Sequence, residues 1–594
     1  MLKELSDLGK RNREQKLGEG KIIHNALKDE VISIDLIINE KGDFVQFDVL
    51  DKITRPAEAL SSKKGKARLL LDKAEEVLNF VSEDASEKEK KGSEYKHSLF
   101  MEKLHEYEEL KELQSVFLFY NENKKKGLDT AKKSFYEIPE KQRNGNIAFR
   151  IQGKSIRLHE ERTVYDSIIS KFEKEQAALL KNSDRICSVC GKSNYPIEDV
   201  PHGMIKKVPD GQATGCALVS YNESVFLSYG LKGNLNSSVC SNCATTYVEG
   251  LNWLLGNGKT QTTDKGKEYF KYSNRKNFGK DTAMVFWLKD GNDVAELDLL
   301  EEPNEAEIKE LIDSIFTGKS QASNINTNYF YSFTLSGAAA RIFIRDWIEQ
   351  SLTDLKKSIA SWFEQIRIMQ FDYTQQKMLP YYASLYSLAN ATQNSKESKD
   401  ISASRTSVYL WKKALSQAAV PIWVLNAVLK RIRVDEKGIT PERVALIRLI
   451  LNQNSSKGGF TVKEELDHEN VSTAYVCGRI FCVLENLQRA ALGKNINAGI
   501  RERFFSSASM TPSSAFGRLL KMAQNHLTKL KNEKPGLAVV LDKELGELIS
   551  KINSFPVMFN LEDQGRFAIG YYHQKQESFR KASENKELRE AVEE

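Results

Sequence analysis

The stretch Cys187-Ser-Val-Cys190-Gly-Lys192 and its counterpart Cys240-Ser-Asn-Cys243 decide the fold of the middle of this chain. The two Cys-x-x-Cys pairs are separated by 49 residues. Two thiolates on one tight turn can hold an edge of a zinc tetrahedron at about 2.3 Å per bond, and a second pair completes the ligand set. The spacing therefore predicts a structural zinc in a zinc-ribbon-like element over 187–243, with no ligand position open for a substrate.

Other states of these cysteines stay open at this point: two disulfides, or simple free thiols. The chain begins Met1-Leu-Lys-Glu4 without a secretory signal, so we expect a cytoplasmic location, where disulfides are rare. The loop between the pairs is longer than a compact zinc ribbon needs. His202 lies in that loop and could replace one cysteine as a ligand.

Composition limits the class of protein. The 594 residues are enough for two to four domains, and 40% hydrophobic with 28% charged residues is ordinary for a soluble globular chain. A net charge of +6 is too mild to identify a nucleic-acid-binding protein by itself. The longest apolar runs, such as Tyr475–Leu484 with Arg479 inside it, are short, so we expect no contact with a membrane.

Hydrophobic periodicity divides the chain into a mixed part and a helical part. Alternation predicts β-hairpins over Val31–Leu50 and Ile147–Leu158, and apolar runs predict strands over Thr282–Leu288 and Phe330–Leu335. Beyond them a helical period dominates in eight segments: 353–370, 405–417, 420–432, 440–453, 472–491, 512–532, 536–554 and 562–582. The predicted fold class is α+β, a mixed N-terminal domain with the inserted zinc-ribbon-like element and an all-α C-terminal helical bundle.

We expect three domains in this order. An N-terminal α+β domain covers 1–345, a helical connecting domain covers 346–465, and the C-terminal helical bundle covers 466–594. Helix signals mark the bundle, with Thr511 and Pro512 at one helix start and Ser472 and Gly493 bounding another helix.

Two basic segments are candidates for contact with phosphates. A small loop around a glycine carries Lys63, Lys64, Lys66 and Arg68, which indicates either a solvated turn or a phosphate-contacting loop. The helix after Thr511 has one apolar side, and a second side that carries cations can be a solvated face or can track single-stranded DNA. Those cations are Arg518, Lys521 and Lys529.

The sequence lacks the common catalytic patterns. It has no His-x-Glu with Pro-Cys-x-x-Cys, no His-Glu-x-x-His and no Gly-x-Ser-x-Gly. The glycines at 211 and 215 are not followed by the Lys-Ser/Thr of a nucleotide triphosphate site. Carboxylates over 301–307 lie in a charge run, which is typical of a solvated face. We therefore expect a protein that is not an enzyme.

Several strings in chain order carry a resemblance to a known family. The first set is Gly215-Cys-Ala-Leu-Val-Ser-Tyr-Asn222, Phe226-Leu-Ser-Tyr-Gly230, Asn236-Ser-Ser and Tyr247-Val-Glu-Gly-Leu-Asn-Trp-Leu-Leu255. These strings resemble the large subunit of the type I-C CRISPR interference complex, Cascade. Further matches are Leu70–Ala74, Ile147–Arg150, Leu335-Ser336 with Ala340-Arg341, and Asp563–Gln574. Family members often lack cysteines at the knuckles, so these four cysteines indicate metal in this chain independently of the resemblance.

The resemblance implies a non-catalytic subunit in antiviral defence. Such a subunit would sit beside the 5′ end of the crRNA, touch the protospacer-adjacent motif of target double-stranded DNA and help to open the strands. Its other partners would be the guide-binding backbone subunits, a separate helicase-nuclease that it helps to recruit, and a small subunit. Family members can make that small subunit from an internal start, and Val471 lies at a plausible place for one; the bundle 466–594 resembles it.

Predicted DNA contacts follow from this resemblance and from residue chemistry. Short polar side chains beside glycines can enter a minor groove while cations hold phosphates. The residues chosen near the motif are Gln212, Thr214, Asn222 and Ser228 with the four cations at 63–68, and those for the displaced strand are the cations at 518–529. For Asn222 and Ser228 a capped turn is an equal alternative.

Two other functions remain open. A zinc-dependent DNA nuclease would cut DNA as the purified chain with a divalent metal. A zinc-stabilised scaffold protein would assemble with partners without contacting DNA.

Overall fold

The structure is a computed structural model of the 594-residue chain. It describes residues 1–19, 22–60, 65–123, 125–179, 185–196, 201–263, 265–291, 295–317, 328–393, 402–453, 461–493 and 498–584.

The described part of the first 256 residues mixes helices with short strands. Its elements are α1 (Leu2–Gly18), β1 (Leu27–Ile38), β2 (Phe44–Glu58), β3 (Leu71–Asp72), α2 (Ala74–Leu78), α3 (Glu87–His105), α4 (Gln114–Phe119), α5 (Leu128–Glu137), β4 (Asn146–Ile151), α6 (Arg162–Leu179) and α7 (Ser241–Gly256).

The remaining described residues begin with strands and end in helices. The elements up to the last strand are β5 (Gly258–Thr262), β6 (Glu268–Tyr272), β7 (Arg275–Phe278), β8 (Thr282–Leu288), α8 (Glu305–Thr317), β9 (Tyr329–Ala338), β10 (Arg341–Ile344), β11 (Ile348–Ser351), α9 (Leu352–Ile366), β12 (Ile368–Asp372) and β13 (Lys377–Tyr381). The helices that follow are α10 (Leu385–Asn390), α11 (Ser402–Ser416), α12 (Ile422–Val434), α13 (Pro441–Asn452), α14 (Thr473–Leu492), α15 (Ile500–Met510), α16 (Pro512–Glu533), α17 (Pro535–Ile549) and α18 (Leu561–Glu584).

The first sheet has the order β2-β1-β4-β3. Its first hairpin is confirmed, and its turn is closed by the bond from Asn39 N to Asp43 O at 3.0 Å, with Gly42 at φ +76°. The predicted second hairpin is reduced to one antiparallel bridge between Arg150 and Arg157, and β4 pairs in parallel with β1 instead. Alternation identifies a strand but not its partner, which is why the sequence did not reveal this pairing.

The second sheet contains the two strands that apolar runs predicted. Antiparallel β7, β8 and β9 lie side by side, and β11 pairs with the other edge of β9. All seven residues of β8 are buried, as its continuous apolar run predicts. The neighbouring strand β9 is buried at every position but its two end residues.

Helices follow the predicted periodicity closely in the last 250 residues. Pro512 begins α16, and α14 ends before Gly493 at φ +72°. Neither Thr511 nor Ser472 makes a side-chain cap bond, although each occupies the predicted cap position. The sequence missed α15 and the hairpin β12–β13, because both are short and lack a clear period.

The described residues form two compact units. The first consists of residues 1–256 together with 338–343, and the second consists of 257–337 together with 344–594. The mixed helix-and-strand fold with a helical C-terminal region confirms the predicted fold class, whereas the boundaries at 345 and 465 stay predictions. Among these residues, no helix is both long and apolar enough to cross a membrane.

Candidate metal centre and nucleic-acid surfaces

The first cysteine pair lies on a tight turn. Gly191 N donates to Cys187 O at 2.8 Å, and Cys187 N donates to Lys192 O at 2.9 Å. Gly191 has φ +73°, which a glycine adopts at little cost. This turn brings the Sγ atoms of Cys187 and Cys190 to one side, as the Cys-x-x-Cys-Gly sequence predicts.

The second pair lies at the start of α7. Cys240 directly precedes the helix, and Cys243 lies in its first turn. Unpaired N–H groups and the positive end of the helix dipole favour thiolates at such a position. Cys240 N also donates to the Cys187 Sγ at 3.3 Å, so the two pairs meet directly.

The four cysteines form one cluster. Their Sγ atoms all lie within 4.8 Å of one another, and those of Cys190 and Cys240 are 3.8 Å apart. In a tetrahedral thiolate site with bonds of about 2.3 Å, the sulfur–sulfur distance is about 3.8 Å. Three of the residues are buried, and Cys190 is exposed. The donor set and its spacing therefore fit a structural metal ion.

The pKa values of two clustered cysteines are shifted in opposite directions, as expected for thiols that share protons. A hydrogen bond from Cys243 lowers the pKa of Cys240 to about 5. The same bond, with burial, raises the pKa of Cys243 well above the ordinary value of 9.0. Without a cation, the thiols share protons because neighbouring thiolates repel one another. A divalent metal would replace those protons and hold all four sulfurs as thiolates.

The other candidate ligand and the remaining cysteines lie apart from this cluster. His202 Nδ1 is 2.9 Å from the Tyr247 hydroxyl, and its Nε2 is 3.2 Å from the Ser237 Oγ. Burial lowers the pKa of His202 to about 4. Both ring nitrogens are engaged with hydroxyls, so His202 does not replace a cysteine here. All seven cysteines of the chain are free, which excludes a disulfide in this structure.

Helix α7 is fixed by a close crossing with α1. A Cβ added at Gly9 would lie 2.0 Å from the Thr246 backbone oxygen, and one at Gly250 would lie 2.5 Å from the Leu5 oxygen. Only glycine permits backbones to approach so closely. The Arg13 guanidinium adds two hydrogen bonds to the carboxylate of Glu249, at 2.6 and 2.8 Å. These contacts anchor α7, at whose start two of the four clustered cysteines lie.

Two predicted DNA-contacting residues lie on an exposed turn. Gly215 N donates to Gln212 O at 3.0 Å, and the side chains of Gln212 and Thr214 are exposed. The turn is held by a parallel bridge to the segment Ala338–Phe343, where Gln212 N donates to Ala339 O at 3.2 Å. Both side chains therefore face solvent, while the segment Ala338–Phe343 holds the backbone of the turn in place.

The other two predicted residues lie on the exposed segment that follows. The Asn222 Oδ1 accepts from the Ser220 Oγ at 3.2 Å and from the Arg341 guanidinium at 2.8 Å. The Ser228 Oγ donates to Val225 O at 3.4 Å. The Ser220–Asn222 and Ser228–Val225 bonds match the turn-capping alternative, and both Asn222 and Ser228 remain exposed. Arg341 was missed as a candidate, because its pairing with Asn222 spans 119 positions of sequence.

The same segment exposes apolar side chains that sequence reasoning did not select. Tyr229 is fully exposed, and Val225 and Leu227 are exposed at 71% and 49%. Tyr229 also has φ +59°, a conformation that costs energy for a residue with a Cβ. We call residues 211–230 the exposed loop. Its glycines and tyrosines make the loop recognisable in the sequence, but the exposure of its apolar side chains is visible only in the structure.

The basic loop is only partly within the described residues. Lys63 and Lys64 lie outside them, and Lys66 is exposed. Arg68 is 5% exposed, and its guanidinium donates to Glu30 at 2.6 Å and to the Glu58 backbone oxygen at 3.2 Å. This guanidinium is not available to a phosphate in the structure. A DNA contact by Arg68 stays a prediction that would require the ion pair with Glu30 to open.

The three cations predicted to bind a displaced strand share one face of α16. At 100° per residue, Arg518, Lys521 and Lys529 fall within a narrow arc, and all three are exposed. The Arg518 guanidinium lies over the Phe504 ring at 5.4 Å, and Lys529 forms an exposed ion pair with Glu533 at 3.8 Å. These contacts leave the face accessible.

Comparison with known proteins identifies the family. The family model of the CRISPR-associated protein Cas_Csd1 matches residues 5–579. The chain belongs to this family. No curated protein matches the chain significantly. The match covers both compact units and confirms the resemblance to the large subunit of the type I-C Cascade.

Family membership indicates the kind of complex in which the cysteine cluster and the exposed surfaces act. A Cas_Csd1 protein is a CRISPR-associated, Cascade-type protein, so it works with crRNA and other Cascade components. The four-cysteine cluster, the exposed loop and the cationic face of α16 are the features of this chain that can be tested within that setting.

Proposed function

We propose that this chain is the non-catalytic large subunit of a type I-C Cascade, and that it recognises the protospacer-adjacent motif in duplex DNA. Family membership over residues 5–579 supports the assembly, and the exposed loop is the observation that carries the role in DNA recognition. The loop combines exposed amides, hydroxyls and a fully exposed Tyr229 on a backbone fixed by the segment Ala338–Phe343.

The chemistry of the loop suits a groove of DNA. Gln212 and Asn222 can donate and accept hydrogen bonds at base edges, and Thr214 and Ser228 can do so with a single hydroxyl. The minor groove is about 6 Å wide, so short side chains next to glycines reach its floor more easily than long ones. Arg341, bound to Asn222, adds a cation that can hold a phosphate beside the motif.

We also propose roles in strand opening and strand capture for two sets of exposed groups. Apolar side chains at the end of the exposed loop, above all Tyr229, can be inserted between base pairs and lower the cost of unstacking them. The cations of α16 can then neutralise phosphates of the displaced strand without reading its sequence. Pairing with the crRNA supplies most of the sequence information, so none of these roles requires a catalytic group.

Zinc is the metal we propose for the four-cysteine cluster. Four thiolates in a closed tetrahedral arrangement favour zinc among the common divalent ions, and such a site leaves no position for a reacting water. The cluster would hold the turn at 187–192 against the start of α7 and so fix both ends of the segment that contains the exposed loop. The resemblance to the type I-C family further supports recruitment of a separate helicase-nuclease.

The test uses the assembled complex and two target duplexes. Gln212→Ala/Thr214→Ala/Asn222→Ala should weaken binding to a fully paired target by about 100-fold or more, because three lost base contacts at about 1 kcal/mol or more each sum to about 3 kcal/mol. Binding to a target whose strands are already separated should change less than about twofold, because pairing then dominates. Gel-shift titrations of both duplexes give the two numbers.

A matched control keeps the interpretation specific. Thr374 and Gln375 lie exposed in the turn between β12 and β13, so Thr374→Ala/Gln375→Ala removes similar groups elsewhere. This variant should bind both targets like the wild type. Equal weakening of both targets by the loop variant would reject motif recognition by this loop.

A second measurement separates the proposal from a nuclease. The purified chain should leave single- and double-stranded DNA intact in Mg²⁺ or Mn²⁺. Cleavage that is lost on removing one carboxylate from the chain would overturn the non-catalytic assignment.

A further inference from the structure

The hairpin formed by β5 and β6 is exposed on both of its faces. Every residue of 259–262 and 268–271 is exposed, and both strands pair only with each other among the described residues. An isolated two-stranded hairpin is only marginally stable in water. An exposed hairpin of this kind is therefore a candidate binding element. It lies wholly within the second compact unit.

Strand register separates the side chains into two unlike faces. Lys259 lies opposite Lys271, and Gln261 lies opposite Tyr269. Residues directly opposite one another in an antiparallel pair point to the same face, so these four side chains share one face. Thr263 N donates to Lys267 O at 2.9 Å, which continues the pairing and adds Lys267 to that face. We call it the lysine face.

The opposite face explains how the hairpin holds together. The rings of Phe270 and Tyr272 pack edge to face with centroids 4.9 Å apart, and the Arg275 guanidinium lies over Tyr272 at 4.8 Å. A Cβ at Gly258 would lie 2.3 Å from the Lys271 backbone oxygen, so the strands also approach closely at their base. These contacts do not involve the lysine side chains.

The lysine face itself is electrostatically unfavourable. Two like charges placed directly opposite each other destabilise a strand pair. In the described part of the chain, none of Lys259, Lys267 and Lys271 makes an ion pair, and Glu268 lies on the other face. An exposed ammonium cluster that no described carboxylate neutralises indicates an anionic partner that neutralises it on binding.

Tyr269 shows what kind of anion fits. It stands among these cations, 46% exposed, with its hydroxyl donating to the Gln261 Oε1 at 2.8 Å, which fixes the ring. A fixed exposed ring among cations is the arrangement that binds single-stranded nucleic acid, because unpaired bases stack on the ring while cations hold phosphates. A duplex keeps its bases stacked on each other and has no use for such a ring.

We propose that the lysine face of the β5–β6 hairpin binds single-stranded DNA, with Lys259, Lys267 and Lys271 on phosphates and Tyr269 stacked on a base. The choice of DNA over RNA rests on the proposed function, in which a DNA strand is displaced. This surface is separate in sequence from both the exposed loop and the cationic face of α16. It reads no sequence, because phosphates and base faces are common to all nucleotides.

The first test measures binding of the full chain alone to a mixed-sequence single-stranded DNA over a range of salt. Lys259→Ala/Lys271→Ala should lower the affinity about tenfold at low salt. It should also reduce the slope of log K against log salt by about 1.4, because each phosphate contact on a single strand contributes about 0.7. The free variant should be at least as stable as the wild type, since the substitution relieves repulsion, whereas loss of a purely structural role would destabilise it.

One control variant removes the same charge from another surface, and a second keeps the aromatic ring at position 269. Lys357 and Lys543 are exposed at 58% and 77% and are paired with Asp354 and Glu547, so their double alanine variant loses the same charge elsewhere. That control should keep the wild-type salt slope. Tyr269→Ala should weaken binding about tenfold, whereas Tyr269→Phe, which keeps the ring, should bind nearly as the wild type does.

Three outcomes would overturn the proposal. Unchanged DNA affinity in the lysine variant would show that this face is not a DNA surface. Preferential loss of binding to single-stranded RNA of the same sequence would assign the face to RNA. Loss of copurification with other Cascade subunits at unchanged DNA affinity would assign it to a protein partner. None of these measurements depends on motif recognition, so the proposed function can fail while this inference stands.

Discussion

In the first compact unit α1 crosses α7 through a pair of glycines, and in the second α14 crosses α18 in the same way. A Cβ at Gly9 would lie 2.0 Å from a backbone oxygen of α7, and one at Gly478 would lie 2.0 Å from a backbone oxygen of α18. A tyrosine in each pair also bonds a histidine: Tyr247 of α7 bonds His202 from the preceding loop, and Tyr475 of α14 bonds His573 of α18. Similar crossings thus occur in two different settings.

What surrounds each crossing differs. The α14–α18 pair is enclosed and carries its own polar bonds, such as those from Arg479 to Gln574 at 2.9 Å and from Asn486 to Ser578 at 3.0 Å. The α1–α7 pair is partly exposed, and α7 begins at the cysteine cluster. Backbone proximity alone therefore does not set the stability of a helix pair. The α14–α18 pair is stabilised by burial, whereas we propose that the α1–α7 pair depends on a metal ion bound by the cysteine cluster.

The largest effect is expected from removal of the proposed metal. Chelation, or Cys187→Ser/Cys240→Ser, should expose the amides of 185–196 and of the start of α7 to hydrogen exchange while α14 and α18 stay protected. Structural zinc sites contribute apparent binding energies of about 10–16 kcal/mol, which is comparable to the whole stability of a domain, about 5–15 kcal/mol. Exchange followed by mass spectrometry, with metal analysis of the same sample, measures both.

A cysteine outside the cluster provides the control. Cys216 is buried and its Sγ donates to Ala339 O at 3.3 Å, a bond that serine can keep. Cys216→Ser should leave one metal per chain. Protein that contains no metal, or an α7 equally protected with and without chelator, would contradict the dependence on an ion.

The next effect comes from the glycines. Gly478→Ala should destabilise the second unit by about 3 kcal/mol, since its methyl group would meet backbone atoms that cannot move aside. Gly9→Ala should cost a similar amount in metal-loaded protein and much less after chelation, when α7 is already loosened. Urea denaturation with exchange readouts for each unit gives these values. If Gly9→Ala lowers the free energy of unfolding equally with and without metal, the α1–α7 crossing does not depend on an ion and does not differ from the α14–α18 crossing in this respect.

Gly546 of α17 offers a matched control. A Cβ added there meets nothing within 4 Å. Gly546→Ala should therefore stabilise the protein by up to about 1 kcal/mol through helix propensity.

The sequence predicted elements far better than it predicted contacts. Periodicity located α14, α16 and α18 almost to their ends, because each buries one continuous apolar side. It also identified the four cysteines, since metal ligation demands a fixed spacing. The close crossings were not foreseeable, because a glycine in a helix pattern does not reveal which backbone approaches it. For the same reason the sequence predicts Arg68 to be a surface cation, whereas its ion pair with Glu30 keeps it buried.

A smaller effect is expected from pH. Burial lowers the pKa of His573 to about 3 from its ordinary value of 6.5, so the folded chain keeps this ring neutral while the unfolded chain protonates it. Its contribution is complete above pH 6.5 and is lost as pH falls toward 3. By linkage the second unit should lose about 2 kcal/mol between pH 7 and pH 5 from this group.

Hydrogen exchange of α18 at several pH values measures this loss. His573→Gln should flatten the pH dependence of α18 and leave that of α7 unchanged. Because burial also lowers the pKa of His202, to about 4, α7 should keep a dependence of the same sign. An α18 stability that rises as pH falls would contradict the buried neutral histidine.

The smallest effect is expected for the partly exposed ion pair between Arg13 and Glu249 at the α1–α7 crossing. Glu249 is 42% exposed although its partner Arg13 is 14% exposed, so water and salt screen their ion pair. A double-mutant cycle with Arg13→Ala and Glu249→Ala should give a coupling energy of about 0.5–1 kcal/mol that shrinks in 1 M salt. The same cycle on Arg479 and Gln574, which are 4% and 0% exposed, should be insensitive to salt. A coupling between Arg13 and Glu249 that salt does not weaken would mean that the α1–α7 crossing is more enclosed than its exposure indicates, and the contrast between the two helix pairs would then rest on the metal alone.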